Sequence, residues 1–222
     1  MKAEKEENNK SVFILSLVGV IILVLTNRVC ERFLPGYSIP GSESLLIKIF
    51  MAIVSVIALI LVFCGKLSFS LSCFKISKEC NAKREFLEVA IVILLYIAVL
   101  LGYRFYLNTK DPVVAARPYF ALYLTTNYRW SYPFISLWQE LLIKPLWQDN
   151  VKQAMGGRKW ITLIYIGLLF SVFHMHYRLI TFLGAGIMCF VTGILYERDK
   201  NIWGVWILHF VFGILPRTIG LG

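Results

Sequence analysis

Histidine is scarce in this sequence: there are three, His174, His176 and His209. The HExxH zinc-protease signature is missing, so any metal site would have to be assembled from separate helices. GxSxG is missing too, which removes the serine-hydrolase elbow and leaves Ser136 and Ser171 as incidental neighbours. There is no CxxC. The five cysteines, Cys30, Cys64, Cys73, Cys80 and Cys189, are odd in number and scattered, which argues against a disulfide framework. Cys73 and Cys80 are the nearest pair, but their lysine-rich loop offers no further zinc ligands. Charge is sparse, at 16% of residues. No internal repeat and no pair of Gly/Pro-broken helices is found, so a small transporter using Glu140 as a proton carrier lacks its usual signature.

What the sequence has in quantity is apolar surface. Of 222 residues, 58% are hydrophobic, against about 45–50% in soluble domains, and the mean hydropathy is +0.69. The expected fold is all-α: a polytopic transmembrane helix bundle of about seven spans plus an interfacial or re-entrant segment. The charge of +10 would suggest nucleic acid in a soluble protein. Here the basic residues fall mostly in short loops, where the positive-inside rule accounts for them, so nucleic-acid binding is rejected.

Residues 1–11 are expected to be a disordered charged tail. Residues 12–107 should hold three membrane helices: Val12 to Thr26, Leu45 to Cys64 and Phe86 to Leu107. No small-x-small cleavage site follows the first run, so it reads as a membrane helix and not a signal peptide. Residues 108–131 form an interfacial connection, with Val113 to Thr126 too short and interrupted to span. Residues 132–216 supply four more apolar runs: Tyr132 to Trp147, Trp160 to Tyr177, Leu179 to Tyr196 and Ile202 to Pro216. With the N-terminus inside, thirteen Lys and Arg fall on the inner side and eight on the outer. That bias predicts a cytoplasmic N-terminus in the plasma membrane, with the loops 65–85 and 149–159 also inside.

The stretch Trp138 to Lys144, WQELLIK, stands out inside an apolar run. A carboxylate at membrane depth costs several kcal/mol unless it is paired or wetted, so an intramembrane ionisable group is a functional candidate by default. Glu140 and Lys144 are four apart and should share a helix face as an ion pair, with Gln139 turned about 100° away. Pro145 follows and weakens the local hydrogen-bond ladder. The competing reading is a purely structural pair clamping two helices.

His174 closes FSVFH, so Phe170 and His174 share a helix face. His209 lies mid-span in WILHFVFG, and His176 falls on a different face from His174 as an interfacial bystander. A lone histidine on an apolar face is more often structural. A glutamate with two histidines can do chemistry, however: the carboxylate takes a proton from water, and an imidazole orients the water, holds a metal or donates to an oxyanion.

Three blocks occur in order: QELLIK (Gln139, Glu140, Lys144), FSVFH ending at His174, and HFVFG starting at His209. Between the last two lies GILYERDKNIWGVWILH. Together they resemble the CPBP family of intramembrane proteases, also called the Abi or type II CAAX protease family, whose blocks are EExxxR, FxxxH and HxxxN. The resemblance covers residues 132–216. It implies an intramembrane endopeptidase acting on membrane-tethered or precursor peptides, with Glu140, His174, His209 and Gln139 at the catalytic positions and Lys144, Phe170 and Gly213 in support. It also implies a possible zinc or other divalent ion, with His174, His209 and Glu140 as candidate ligands, and the bilayer as constant partner. Three positions depart from the family pattern. Gln139 replaces the first glutamate, and an amide cannot act as a base. Lys144 replaces an arginine and loses its planar fork. Gly213 replaces the final asparagine. The family also includes catalytically silent members acting in bacteriocin self-immunity or as membrane scaffolds, which is the alternative expectation.

Overall fold

The computed structural model describes residues 2–33, 43–75, 82–120, 131–174 and 179–221, with side chains described from Lys10 to Leu25 and from Ile49 onward within those ranges. Among the described residues the chain is all helical: α1 (Lys2–Phe33), α2 (Glu43–Phe63), a 3₁₀ turn (Leu71–Phe74), α3 (Ala82–Asn108), α4 (Pro112–Ala115), α5 (Tyr132–Leu141), a π-helical segment (Leu142–Gln148), α6 (Asp149–Ala154), α7 (Lys159–Phe173), α8 (Leu179–Asp199) and α9 (Trp203–Thr218). Two helices, α3 and α8, are long and apolar enough to cross a membrane. Shorter apolar stretches cover Lys10–Leu25, Ile49–Phe63 and Lys159–Phe173. Seven crossings are therefore not reached by that measure. The α5-to-α6 run carries Gln139, Glu140, Lys144, Gln148 and Asn150, and α9 has 16 residues where about 20 are needed for a hydrocarbon core.

The tail differs from expectation: residues 2–11 continue α1 instead of forming a disordered segment. Lys, Ala and Glu dominate there and are strong helix formers, with no Pro in α1 and no Gly before Gly19. In the connection 108–131, Asp111 caps α4 by accepting from the Val113 and Val114 amides at 2.9 and 3.3 Å. Residues 121–130 of that expected interfacial segment lie outside the described residues, as does His176.

The core is a wedge of α1, α2, the π segment and α7. Trp147 is fully buried there and donates from Nε1 to Ser16 Oγ at 2.9 Å. Its ring packs on Phe173 at 5.6 Å. Helices α3 and α9 run side by side in the same direction. Glu85 lies against Gly204, the Tyr96 hydroxyl donates to the Phe212 carbonyl at 3.1 Å, and Arg104 donates to the Gly220 carbonyl at 2.8 Å. Arg104 is buried at the far end of α3 and also donates to the Arg117 carbonyl at 2.7 Å. These bonds fix the connection 112–118 to the end of α9.

The opposite end is held by charge. Arg198 pairs with Glu88 at 2.6 Å, Arg84 with Asp199 at 3.1 Å and Lys200 with Asp149 at 2.6 Å, while Lys152 pairs with Glu197. Asn150 joins the loop after α2 to this end, accepting from the Ser68 amide at 2.9 Å and donating to the Ser68 carbonyl at 2.7 Å. The loop 64–70 and the segment 149–158, which contains α6, therefore share one end of the bundle.

Helices α7 and α8 meet through small residues. An added Cβ on Gly186 would strike the Ser171 hydroxyl and come within 3.1 Å of the Gly167 carbonyl. Gly186→Ala should therefore lower thermal stability in detergent, by about 1–3 kcal/mol for an overpacked contact. Adding Ser171→Ala should recover part of the loss. A Gly186→Ala protein that melts at the wild-type temperature would contradict the packing described.

Candidate functional site

Helix α5 begins with Pro133 in its first turn, where a missing N–H costs nothing. Tyr132, Ser136 and Glu140, spaced by four, form its buried stripe. That stripe meets α9. Trp206 donates from Nε1 to the Pro133 carbonyl at 2.9 Å and to Ser136 Oγ at 3.2 Å. One turn on, His209 Nδ1–H donates to Glu140 Oε1 at 2.8 Å. Glu140 is 1% exposed and His209 is 4% exposed. Among the described residues nothing donates to Glu140 Oε2, which is buried. A bare buried carboxylate oxygen is costly, so the pair is half-satisfied by protein.

The expected Glu140–Lys144 ion pair is not made. Lys144 is buried, and its ammonium donates to the Cys189 carbonyl at 2.8 Å, with Cys189 Sγ at 3.5 Å. The reason lies in the backbone. Pro145 has no N–H, and Leu142–Gln148 adopts π-helical i→i+5 geometry. A wider turn means that four residues no longer bring a side chain back to the same face, so Lys144 swings to α8. There Gly193 leaves the room: a Cβ on it would lie 3.6 Å from Lys144 Nζ and 3.1 Å from Gln148 Oε1. Gln148 Nε2 donates to the Gly193 carbonyl at 3.1 Å.

Gln139, one residue before Glu140, faces elsewhere. It lines a cavity of about 30 Å³ together with His174, Phe170, Leu142, Trp147 and residues of α1 and α2. That volume admits roughly one water. His174 sits at the end of α7, and its Nδ1–H donates to the Phe170 carbonyl at 2.8 Å, which orients the ring. Phe170 touches both histidines: its ring centroid is 4.5 Å from that of His174 and 5.6 Å from that of His209. Glu140 and His209 thus meet directly, while Gln139 and His174 share the cavity and communicate with the pair through one phenyl ring. Gly213, one turn past His209, faces the Tyr132 hydroxyl, which an added Cβ would strike.

Among the described residues no group of three or more His, Cys, Asp or Glu side chains is placed to hold a divalent metal. A catalytic zinc commonly has three protein ligands converging on it.

Sequence reasoning treated Ser136 as incidental and did not single out Tyr132 or Trp206. The i, i+4, i+8 spacing of Tyr132, Ser136 and Glu140 was the available signal. Cys189 as the partner of Lys144 had none.

At the centre of the apolar helical bundle lies a buried carboxylate–imidazole pair. Residues 119–215 match the family described as Type II CAAX prenyl endopeptidase, Rce1-like. That is the protease family the three motif blocks resemble. It is membrane-embedded, and the two long apolar helices fit that placement. No curated protein and no solved structure matches the chain.

The pair makes a stability prediction. His209→Ala leaves the Glu140 carboxylate buried without its donor, which should cost about 3–5 kcal/mol. Glu140→Gln, which leaves no charge behind, should cost less. Combining His209→Ala with Glu140→Gln should cost less than the two single losses added together. Additive losses, measured by thermal denaturation in detergent, would show that the two side chains are not coupled.

Proposed function

We propose that this protein is an intramembrane endopeptidase that hydrolyses peptide bonds in membrane-tethered or precursor peptides. The observation carrying this reading is the buried Glu140–His209 hydrogen bond with Glu140 Oε2 left without a protein donor. In the proposed role, Oε2 takes a proton from water as general base. His209 orients the carboxylate through Nδ1 and, as an imidazolium, donates from Nε2 to the developing oxyanion. His174 and Gln139 supply the polar wall of the neighbouring cavity and orient water or substrate. The proposed step uses these side chains alone.

A second reading has its own observation. The cavity wall carries an amide, Gln139, where the resembling family has its first glutamate, and Glu140 is not among the lining residues. This favours a catalytically silent member acting in peptide self-immunity or as a membrane scaffold.

Cleavage of a farnesylated CAAX-type peptide in liposomes separates the two. Under the protease reading, wild type cleaves and Glu140→Gln loses about 10²–10⁴-fold in kcat, the usual range for a general base. Gln139→Glu retains activity, and a chelator has no effect. No cleavage by wild type, with activity appearing in Gln139→Glu, selects the silent reading. Wild-type activity that survives Glu140→Gln removes Glu140 from the mechanism.

The end carrying residues 64–75 and 149–158 is proposed to be cytoplasmic, in a plasma membrane, from its share of Lys and Arg. Single cysteines introduced at Gly65 and Gly156, in a background where the native cysteines are replaced by serine, should resist an impermeant thiol reagent on intact cells. Labelling at either position would invert the topology.

A further inference from the structure

We infer that Tyr132 is a further catalytic residue, its phenol hydroxyl donating a hydrogen bond to the oxyanion formed at the Glu140–His209 pair; this rests on the protease reading above. Tyr132 and Glu140 lie on the same buried stripe of α5, and the Tyr132 ring packs edge-on against His209 at 6.4 Å. Its hydroxyl sits against the α-carbon of Gly213, one turn beyond His209 on the same face of α9. Any side chain at position 213 would strike that hydroxyl. A glycine inside a helix costs about 0.5–1 kcal/mol relative to alanine. Here it opens the seam so that a polar group reaches a place beside His209 that α9 itself leaves without one. Tyr132 is 8% exposed, so its O–H acts in a water-poor setting where a preorganised donor counts most.

The step balances as ordinary hydrolysis. Glu140 takes one proton from water, and the hydroxide oxygen bonds to the peptide carbonyl carbon. The C=O π pair moves onto oxygen, where His209 Nε2–H and the Tyr132 O–H donate to it. The pair then returns, the C–N bond breaks, and the Glu140 carboxylic acid gives its proton to the departing amine. The products are a carboxylic acid and an amine, and proton transfer between them gives a carboxylate and an ammonium.

The probe is a quenched-fluorescent, farnesylated CAAX-type peptide cleaved by the full chain in liposomes. Tyr132→Phe keeps the ring contacts and removes only the hydroxyl. It should lower kcat by about 10²–10³-fold, as loss of one oxyanion donor does elsewhere, with KM unchanged. A second pair of variants guards against a folding effect. Tyr132→Leu should be slow, and Tyr132→Leu with Gly213→Asn, which moves the donor from α5 to α9, should recover at least tenfold. A merely structural tyrosine would not be rescued in kcat by an amide on the facing helix. Wild-type kcat in Tyr132→Phe, with wild type active, overturns this inference and leaves the protease reading standing. No recovery in the double variant, when it melts as Tyr132→Leu does, also overturns it. Absence of cleavage by wild type overturns both.

Discussion

A carboxylate buried among apolar helices has to be met by something, and here His209 meets it from 69 residues away in sequence. Much of the surrounding architecture follows from that meeting. It requires α5 and α9 to cross at one point, and Trp206 secures the crossing by donating to Pro133 and Ser136. It requires α9 to be held in register, which α3 does at three places: Glu85 against Gly204, Tyr96 on Phe212 and Arg104 on Gly220. The charged end adds Arg198–Glu88 and Lys200–Asp149. Exposed ion pairs contribute little each, about 0–1 kcal/mol. Their value here is positional, since they fix which end of each helix faces which.

The π segment decides what the carboxylate does not meet. In a regular α-helix, Lys144 would return to the face of Glu140 and offer an ammonium in place of an imidazole. Pro145 and the wider turn take the ammonium to the Cys189 carbonyl instead. The result is two separate buried polar centres on one continuous helical run: a cation bound by a backbone carbonyl of α8, and an anion bound by an imidazole of α9. Keeping them apart leaves Glu140 with an imidazole partner from α9.

The helical class and the apolar segments were legible because long unbroken apolar runs have few other outcomes. That Glu140 and His209 each need a polar partner was legible too, because each is expensive in an apolar bundle. The Lys144 pairing was not legible: spacing rules assume α-helical turns, and a π turn breaks the assumption without any residue but Pro145 announcing it. The N-terminal residues were misread because high charge was weighed above helix propensity. The α5–α9 seam was half-legible. The fourfold spacing of Tyr132, Ser136 and Glu140 is visible in the sequence. That Gly213 makes room for a tyrosine hydroxyl is a tertiary fact that no local pattern carries.

Position 139 gains its meaning from the same geometry. Gln139 and Glu140 are adjacent in sequence but about 100° apart around the helix, so they face different spaces: the cavity shared with His174, and the seam shared with His209. A carboxylate lost at 139 is therefore not replaced in kind by one present at 140. Water activation by Glu140 would have to occur on the seam side of Phe170, with His174 acting across that ring or through its movement. The cavity as it stands holds about one water. Phe170 is the element both spaces share: its carbonyl holds the His174 ring and its own ring bears on His209.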